Sequence, residues 1–206
     1  MGQRNYSRGF QVTVHEEALD LPLRWKRPQM IFVNSMSDLF HDDVPHDFIR
    51  KVFSVMEEAS WHRFQILTKR SARLAEMAPL LPWSKNVWMG VTVENADFVW
   101  RINDLRSVPA AARFLSLEPL LGAMPELDLT NIDWTIVGGE SGPGARPIEP
   151  GWVLDVLQQC QRSRVPFFFK QWGGLNKKRA GRTLNGRVYD EMPSARAKWL
   201  HETVGR

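Results

Sequence analysis

Six times along this chain an apolar run, unbroken or nearly so, ends in a cluster of polar and charged residues. MIFVNSMSDLF (30–40) closes on Asn34, Ser35 and Asp38, and FQILTKR (64–70) on Thr68, Lys69 and Arg70. VWMGVTVEN (87–95) closes on Thr92, Glu94 and Asn95, and RFLSLEP (113–119) on Ser116 and Glu118. WTIVGGES (134–141) closes on Glu140 and Ser141, and PFFFKQW (166–172) on Lys170 and Gln171. Runs without polar alternation suit strands covered on both faces, as in a parallel sheet. They recur mostly about 25 to 35 residues apart, close to the length of a βαβ unit.

Helical stripes fill most of the intervals. Phe48, Val52, Val55, Met56 and Ala59 share one face, with Pro45 and Asp47 suited to a first turn. Leu74, Ala75 and Ala78 mark a shorter helix after Ser71. Val99, Ile102 and Leu105 mark another after Asn95, a good N-cap. Trp152, Val153, Val156, Leu157 and Cys160 form the clearest stripe, opened by Pro150. The interval PLLGAMPELDLTNID (119–133) is too broken by Pro and Gly for a long helix. The expected fold is α/β: five or six right-handed β/α units forming a curved parallel sheet or partial barrel. In such folds ligands sit at the C-terminal ends of the strands, where the polar clusters fall. Asn-Gly in TLNGRVY (183–189) signals a small hairpin, and a short helix is expected around Ala195–Glu202. The expected organisation is an N-terminal extension (1–29), a β/α partial barrel (30–174) and a basic tail with hairpin and helix (175–206).

A formal net charge of +4 and a pI near 9.5 permit an anionic partner without requiring one. The single cysteine, Cys160, excludes an intramolecular disulfide and a multi-cysteine metal cage within the chain, and on an apolar stripe it reads as packing. No apolar run approaches the roughly 20 residues of a membrane span. MGQRNYSRGF lacks the apolar middle of a signal peptide, so the expected location is cytoplasmic and no membrane partner is expected.

The candidate chemistry lies at the strand ends. Lys69, Glu94, Glu118 and Lys170 are the acid–base candidates, with Glu140 beside them. Gathered in one pocket they would shift one another's pKa values, and the alternative is a structural ion-pair network. GGESGPGAR (138–146) is neither a Walker loop nor a GxGxxG fingerprint. Its glycines allow close backbone approach, and Arg146 can pair with a carboxylate or phosphate. The stretch therefore reads either as a ligand contact or as a turn in which Glu140 and Arg146 pair with each other. Asp38, His41, Asp42 and Asp43 fit no tight metal spacing, so no metal site is expected. Basic residues near aromatics (LPLRWKRP, 21–28; KQWGGLNKKR, 170–179) read either as a weak nucleic-acid surface or as a solvated face.

RWKRPQMIFVNSMSDLFHDDVP, FQILTKR, NVWMGVTVEN, FLSLEPLLG, WTIVGGESGPGARP, VPFFFKQWGG and the DEMP of the tail together resemble the phage and prophage "gp thirty-seven / gp sixty-eight" family, a domain of unknown function. That resemblance implies a radical S-adenosylmethionine-like β/α barrel. Asn34, Ser35, Asp38, Thr68, Lys69, Glu94, Glu118, Glu140 and Lys170 would line its pocket. Gly138, Gly139, Glu140, Ser141 and Arg146 would contact S-adenosylmethionine or a similar polar group. Members of the family usually carry three closely spaced N-terminal cysteines as iron–sulfur ligands, and this chain has none there. Cluster binding by this chain is therefore not expected. The departure leaves three readings: a truncated product, a half completed by a separately encoded cysteine segment, or a cluster-free relative that binds a ligand or partner. The first also predicts an exposed sheet edge beside MIFVNS. The alternative function is a non-enzymatic accessory protein that binds nucleic acid or a phage or host protein.

Overall fold

The computed structural model describes residues 11–175 and 180–193. The expected helix around Ala195–Glu202 and the KKR of the basic stretch (177–179) lie outside those residues. Six strands, β1 (Met30–Val33), β2 (Arg63–Thr68), β3 (Val87–Thr92), β4 (Ala112–Leu117), β5 (Trp134–Gly138) and β6 (Phe167–Gln171), form one sheet in sequence order. Every neighbouring pair is parallel, and the sheet curls into a half-barrel. A second sheet, the hairpin β7 (Thr183–Leu184) and β8 (Arg187–Val188), turns through Asn185 and Gly186, both at positive φ. That geometry is what an Asn-Gly turn supplies.

The helices cover the convex face. After α1 (Leu21–Arg24), α2 (His46–Glu58) follows β1, α3 (Ser71–Met77) follows β2, α4 (Arg101–Arg106) follows β3 and α5 (Pro150–Ser163) follows β5. The β4–β5 link contains no helix, as its prolines and glycine require. Ile49, Phe53 and Met56 of α2, Leu74 of α3, Leu105 of α4 and Val156 of α5 meet Ile66, Met89, Leu115, Val137 and Phe169 of the sheet in one buried core. One helix start departs from expectation. Asn95 accepts from the Asp97 N–H but caps only the 3-10 turn Ala96–Phe98, and α4 begins at Arg101. The Asx turn closes a tight bend before the chain resumes helical geometry.

The concave face has its own core. Trp88, Ala112, Phe114 and Trp134 are buried there, with Met30, Leu67, Ile136, Phe168 and Met192 packed against them. Trp134 makes edge-on or tilted contacts with Trp88, Phe114 and Phe168 at 5.8–6.2 Å between centroids. Gly90 is small because Phe114 lies across it: a Cβ there would come within 2.3 Å of the ring. The tail closes the floor from below, where the Trp134 indole N–H donates to the Glu191 carbonyl at 2.9 Å.

Candidate functional site

Strand side chains alternate between faces, so the concave phase can be followed out of the sheet. On β2 it runs through Gln65 and Leu67 to Lys69, and on β3 through Trp88 and Gly90 to Glu94. On β4 it runs through Phe114 and Ser116 to Glu118, and on β5 through Trp134, Ile136 and Gly138 to Glu140. These four strand ends therefore carry Lys69, Glu94, Glu118 and Glu140 on the concave phase of the sheet.

There the charges meet in pairs. The Lys69 ammonium contacts Glu94 Oε1, and the buried Arg101 donates to Glu94 Oε2 at 2.9 Å and to the Thr92 carbonyl at 2.7 Å. Arg101 also lies over the Phe98 ring, 4.2 Å from its centroid. Lys170 Nζ donates to Glu118 Oε2 at 2.9 Å, and Gln171 Nε2 donates to Glu118 Oε1 at 2.6 Å. Two adjacent residues of β6 reach one carboxylate because the β5–β6 register slips: Val137 pairs with Phe169, but Gly138 pairs with Gln171. Bulges commonly re-aim side chains in this way. Gly138 lies beneath the pair, where a Cβ would come within 3.3 Å of the Glu118 carboxyl carbon.

GGESGPGAR closes one side of the mouth. Arg146 grips Glu140 with Nε and Nη2 at 2.8 and 2.9 Å and adds its backbone N–H at 2.9 Å. These bonds hold the Glu140 carboxyl down at about 2. Arg146 is shifted up, chiefly by its bond to Glu140, and the Glu94 carboxylate adds to the shift, which puts Arg146 within electrostatic reach of the β3 end. Gly139 and Gly173 let the loop lie against the chain after β6: a Cβ at either would come within 2.1 Å of a backbone carbonyl oxygen. The Gly174 N–H donates to the Glu140 carbonyl at 2.7 Å across that contact. Ser141 is exposed on the outer turn.

Asp38 and Thr68 have a different setting. Asp38 accepts from Thr68 Oγ1 at 2.7 Å and from the Phe40 and Lys69 N–H groups and Arg70 Nη1 at 3.0 Å. Its carboxylate is saturated, and it clamps the loop after β1 to the end of β2, directly behind Lys69. Asn34, at φ 61°, donates to Ser37 Oγ at 2.7 Å, and Ser35 is exposed on the same turn. Two contributors, Arg101 and Gln171, lie outside the expected set. Gln171 directly follows Lys170, whereas nothing in the local sequence of α4 distinguishes Arg101 from a solvated helix arginine.

Cys160 is buried on α5, and burial pushes its thiol up to about 11. Among the described residues no group of three His, Cys, Asp or Glu could hold a metal ion, and no helix is long and apolar enough to cross a membrane.

A family model described as "Protein of unknown function (DUF5131)" matches residues 1–193. The chain belongs to the DUF5131 family. No curated protein and no solved structure matches it. The DUF5131 description agrees with the domain-of-unknown-function part of the expected kinship and assigns no reaction. What the rim of this DUF5131 half-barrel can do therefore rests on its geometry. It offers carboxylates and cations in adjacent pairs beside the aromatic floor of the concave face.

Proposed function

We propose that the half-barrel mouth binds a small ligand carrying both a positive and a negative group on a partly apolar body, and that the chain is a radical S-adenosylmethionine-like scaffold related to the phage proteins named above. The observation that supports this reading is the in-phase delivery of Lys69, Glu94, Glu118 and Glu140 to one mouth, with Lys170 paired to Glu118. A ligand ammonium can replace Lys170 beside Glu118. A ligand carboxylate can replace Glu140 beside Arg146. The Lys170–Glu118 pair is partly solvent-exposed, so opening it costs little. Leu67 and Ile136, partly buried beside the aromatic floor, offer the apolar body a surface.

S-adenosylmethionine suits that donor set, with an amino-acid head for the charged rim and an aromatic base for the hollow. When bound, it supplies an electrophilic sulfonium. In this reading Glu118 and Lys170 hold or move a proton at the ligand's polar head, Lys69 and Glu94 border the same space, and Arg101 keeps Glu94 oriented. An iron–sulfur cluster does not suit the residues present. The one thiol is buried behind the sheet with a raised pKa, so no step is routed through a cluster.

Calorimetric titration of the chain with S-adenosylmethionine tests the reading. Saturable binding is expected, weakened by Glu118→Ala, Lys170→Ala and Arg146→Ala. Absence of binding, together with DNA binding that falls steeply with salt, would overturn it in favour of the accessory role.

A further inference from the structure

The end of the sheet opposite the mouth, where the strands begin, carries the basic and aromatic stretch LPLRWKRP (21–28). Residues 61–63 fix its course. The Trp61 indole N–H donates to the Trp25 carbonyl at 2.7 Å, and the Arg63 N–H to the Gln29 carbonyl at 2.8 Å. The buried His62 accepts the Gln29 N–H on Nδ1 at 3.1 Å and donates from Nε2 to the Pro22 carbonyl at 2.9 Å. Arg24, Trp25, Lys26 and Arg27 are exposed on the segment held in this way. Lys85 joins them from the loop before β3. Arg63, buried against the Trp88 ring, donates through Nη1 to the Lys85 carbonyl at 3.0 Å, and the Phe64 N–H donates to the Asn86 carbonyl at 2.8 Å. The starts of β1, β2 and β3 therefore stand side by side, and Lys85 is exposed at the third.

These cations are not neutralised. Among the described residues the side chains of Arg24, Lys26, Arg27 and Lys85 take part in no ion pair, and Glu57 and Glu58, on the last turn of α2, pair with none of them. Asp133 and Glu191 lie towards β5 and β6, where they accept the Arg113 and Phe167 N–H groups at 2.8 and 3.0 Å. The stretches 1–10, 176–179 and 194–206 contain a single acidic residue, Glu202, too little to balance the patch. Uncompensated like charge of this kind is relieved by a polyanion. The ring among the cations narrows the class: Trp25 is 38% exposed. A single nucleic-acid strand uses that combination, with phosphates on the cations and a base stacked on the aromatic ring, whereas a duplex keeps its bases stacked inside.

We infer that the end of the sheet where β1, β2 and β3 begin binds single-stranded nucleic acid, its backbone on Arg24, Lys26, Arg27 and Lys85 and one base on Trp25. Because residues 61–63 already hold the basic stretch in place, little ordering is left for the strand to impose. The surface lies at the opposite end of the strands from the charged rim, so the inference does not depend on the ligand proposed there.

Fluorescence anisotropy of a labelled oligothymidylate about 12 nucleotides long, titrated with the full chain at several salt concentrations, tests it. Saturable binding is expected. The logarithm of affinity should fall with the logarithm of salt at a slope of about −3, from about 0.7 for each of the phosphates on these cations. Lys26→Ala and Lys85→Ala should each flatten the slope by about 0.7. Arg50→Ala, which removes the same charge from the exposed surface of α2, should leave it unchanged. Trp25→Ala should weaken binding about tenfold with the slope preserved. If that variant fails to fold, an abasic strand of equal length takes its place on the wild-type chain, and the same tenfold loss is expected. Four outcomes would overturn the inference: no saturable binding at low salt, equal affinity for the abasic strand, an Arg50→Ala effect as large as that of the patch variants, or binding abolished by Glu118→Ala. The last would place the strand in the mouth. Sedimentation with phosphatidylserine vesicles that is lost in the patch variants, while oligothymidylate does not bind, would assign the surface to a membrane instead.

Discussion

The floor and the rim of the concave face are built on the same strands and the same side-chain phase, yet they are held in opposite ways. At the floor Trp88, Phe114 and Trp134 interlock and are almost wholly excluded from water. At the rim the chain places Lys69, Glu118, Glu140, Arg146 and Lys170 in ion pairs that water still reaches. Stability should therefore concentrate at the floor and replaceable contacts at the rim. Glu94 is the exception, because it sits at the rim but is tied to the buried Arg101.

Truncating the floor should have the largest effect. Phe114→Ala removes a buried ring from the cluster and is expected to cost about 3–5 kcal/mol in denaturant unfolding. Glu94→Ala should come close to it, because it leaves Arg101 buried with half its partners, a situation that typically costs about 3–5 kcal/mol. A loss below 1 kcal/mol there would put Glu94 with the replaceable rim pairs. Gly90→Ala forces a methyl group against the Phe114 ring and should cost about 1–3 kcal/mol, readable as a lowered unfolding midpoint. Glu118→Ala should change stability by less than about 1 kcal/mol, since its lysine partner is half exposed, while weakening ligand binding. A large stability loss at Glu118 would erase the contrast between floor and rim.

Much of this contrast was legible in the chain. β2 to β5 read as apolar runs because both of their faces are largely buried, one under helices and the other in the aromatic floor, whereas β1 is only partly covered, with Phe32 43% exposed. Lys69, Glu94, Glu118 and Glu140 keep the concave phase because the alternation of the strand persists past its last ladder bond. Other features could not be read because they depend on distant geometry. Asp38 resembles an exposed loop acid until the end of β2 is brought against it. Arg101 resembles a surface helix residue until the 3-10 turn at Ala96–Phe98 rotates it beneath Glu94. Lys170 and Gln171 should face opposite sides of a regular strand, and only the slipped β5–β6 register brings both to Glu118. The Glu140–Arg146 pair was one of two readings open for the glycine-rich stretch. The glycines serve its close approach to the chain after β6.

The smallest effect expected is a titration. Arg146 holds Glu140 protonated only below about pH 2, so the tether is present above the ordinary carboxylate range and is lost as pH falls through about 2. In Arg146→Ala the Glu140 carboxyl should titrate near its ordinary value of 4.5. NMR of the labelled carboxyl carbon would record the difference, and an unchanged titration would show that the pair does not hold the loop in solution.

The central claim is that separate strand ends serve one ligand site. Isotope-labelled glutamate carboxyl carbons, assigned by substitution and followed as S-adenosylmethionine is added, test it most directly. The account predicts that Glu94, Glu118 and Glu140 shift together along one saturation curve, while surface glutamates such as Glu57 and Glu126 stay fixed. Shifts confined to one of the three, or spread over the surface glutamates instead, would contradict it.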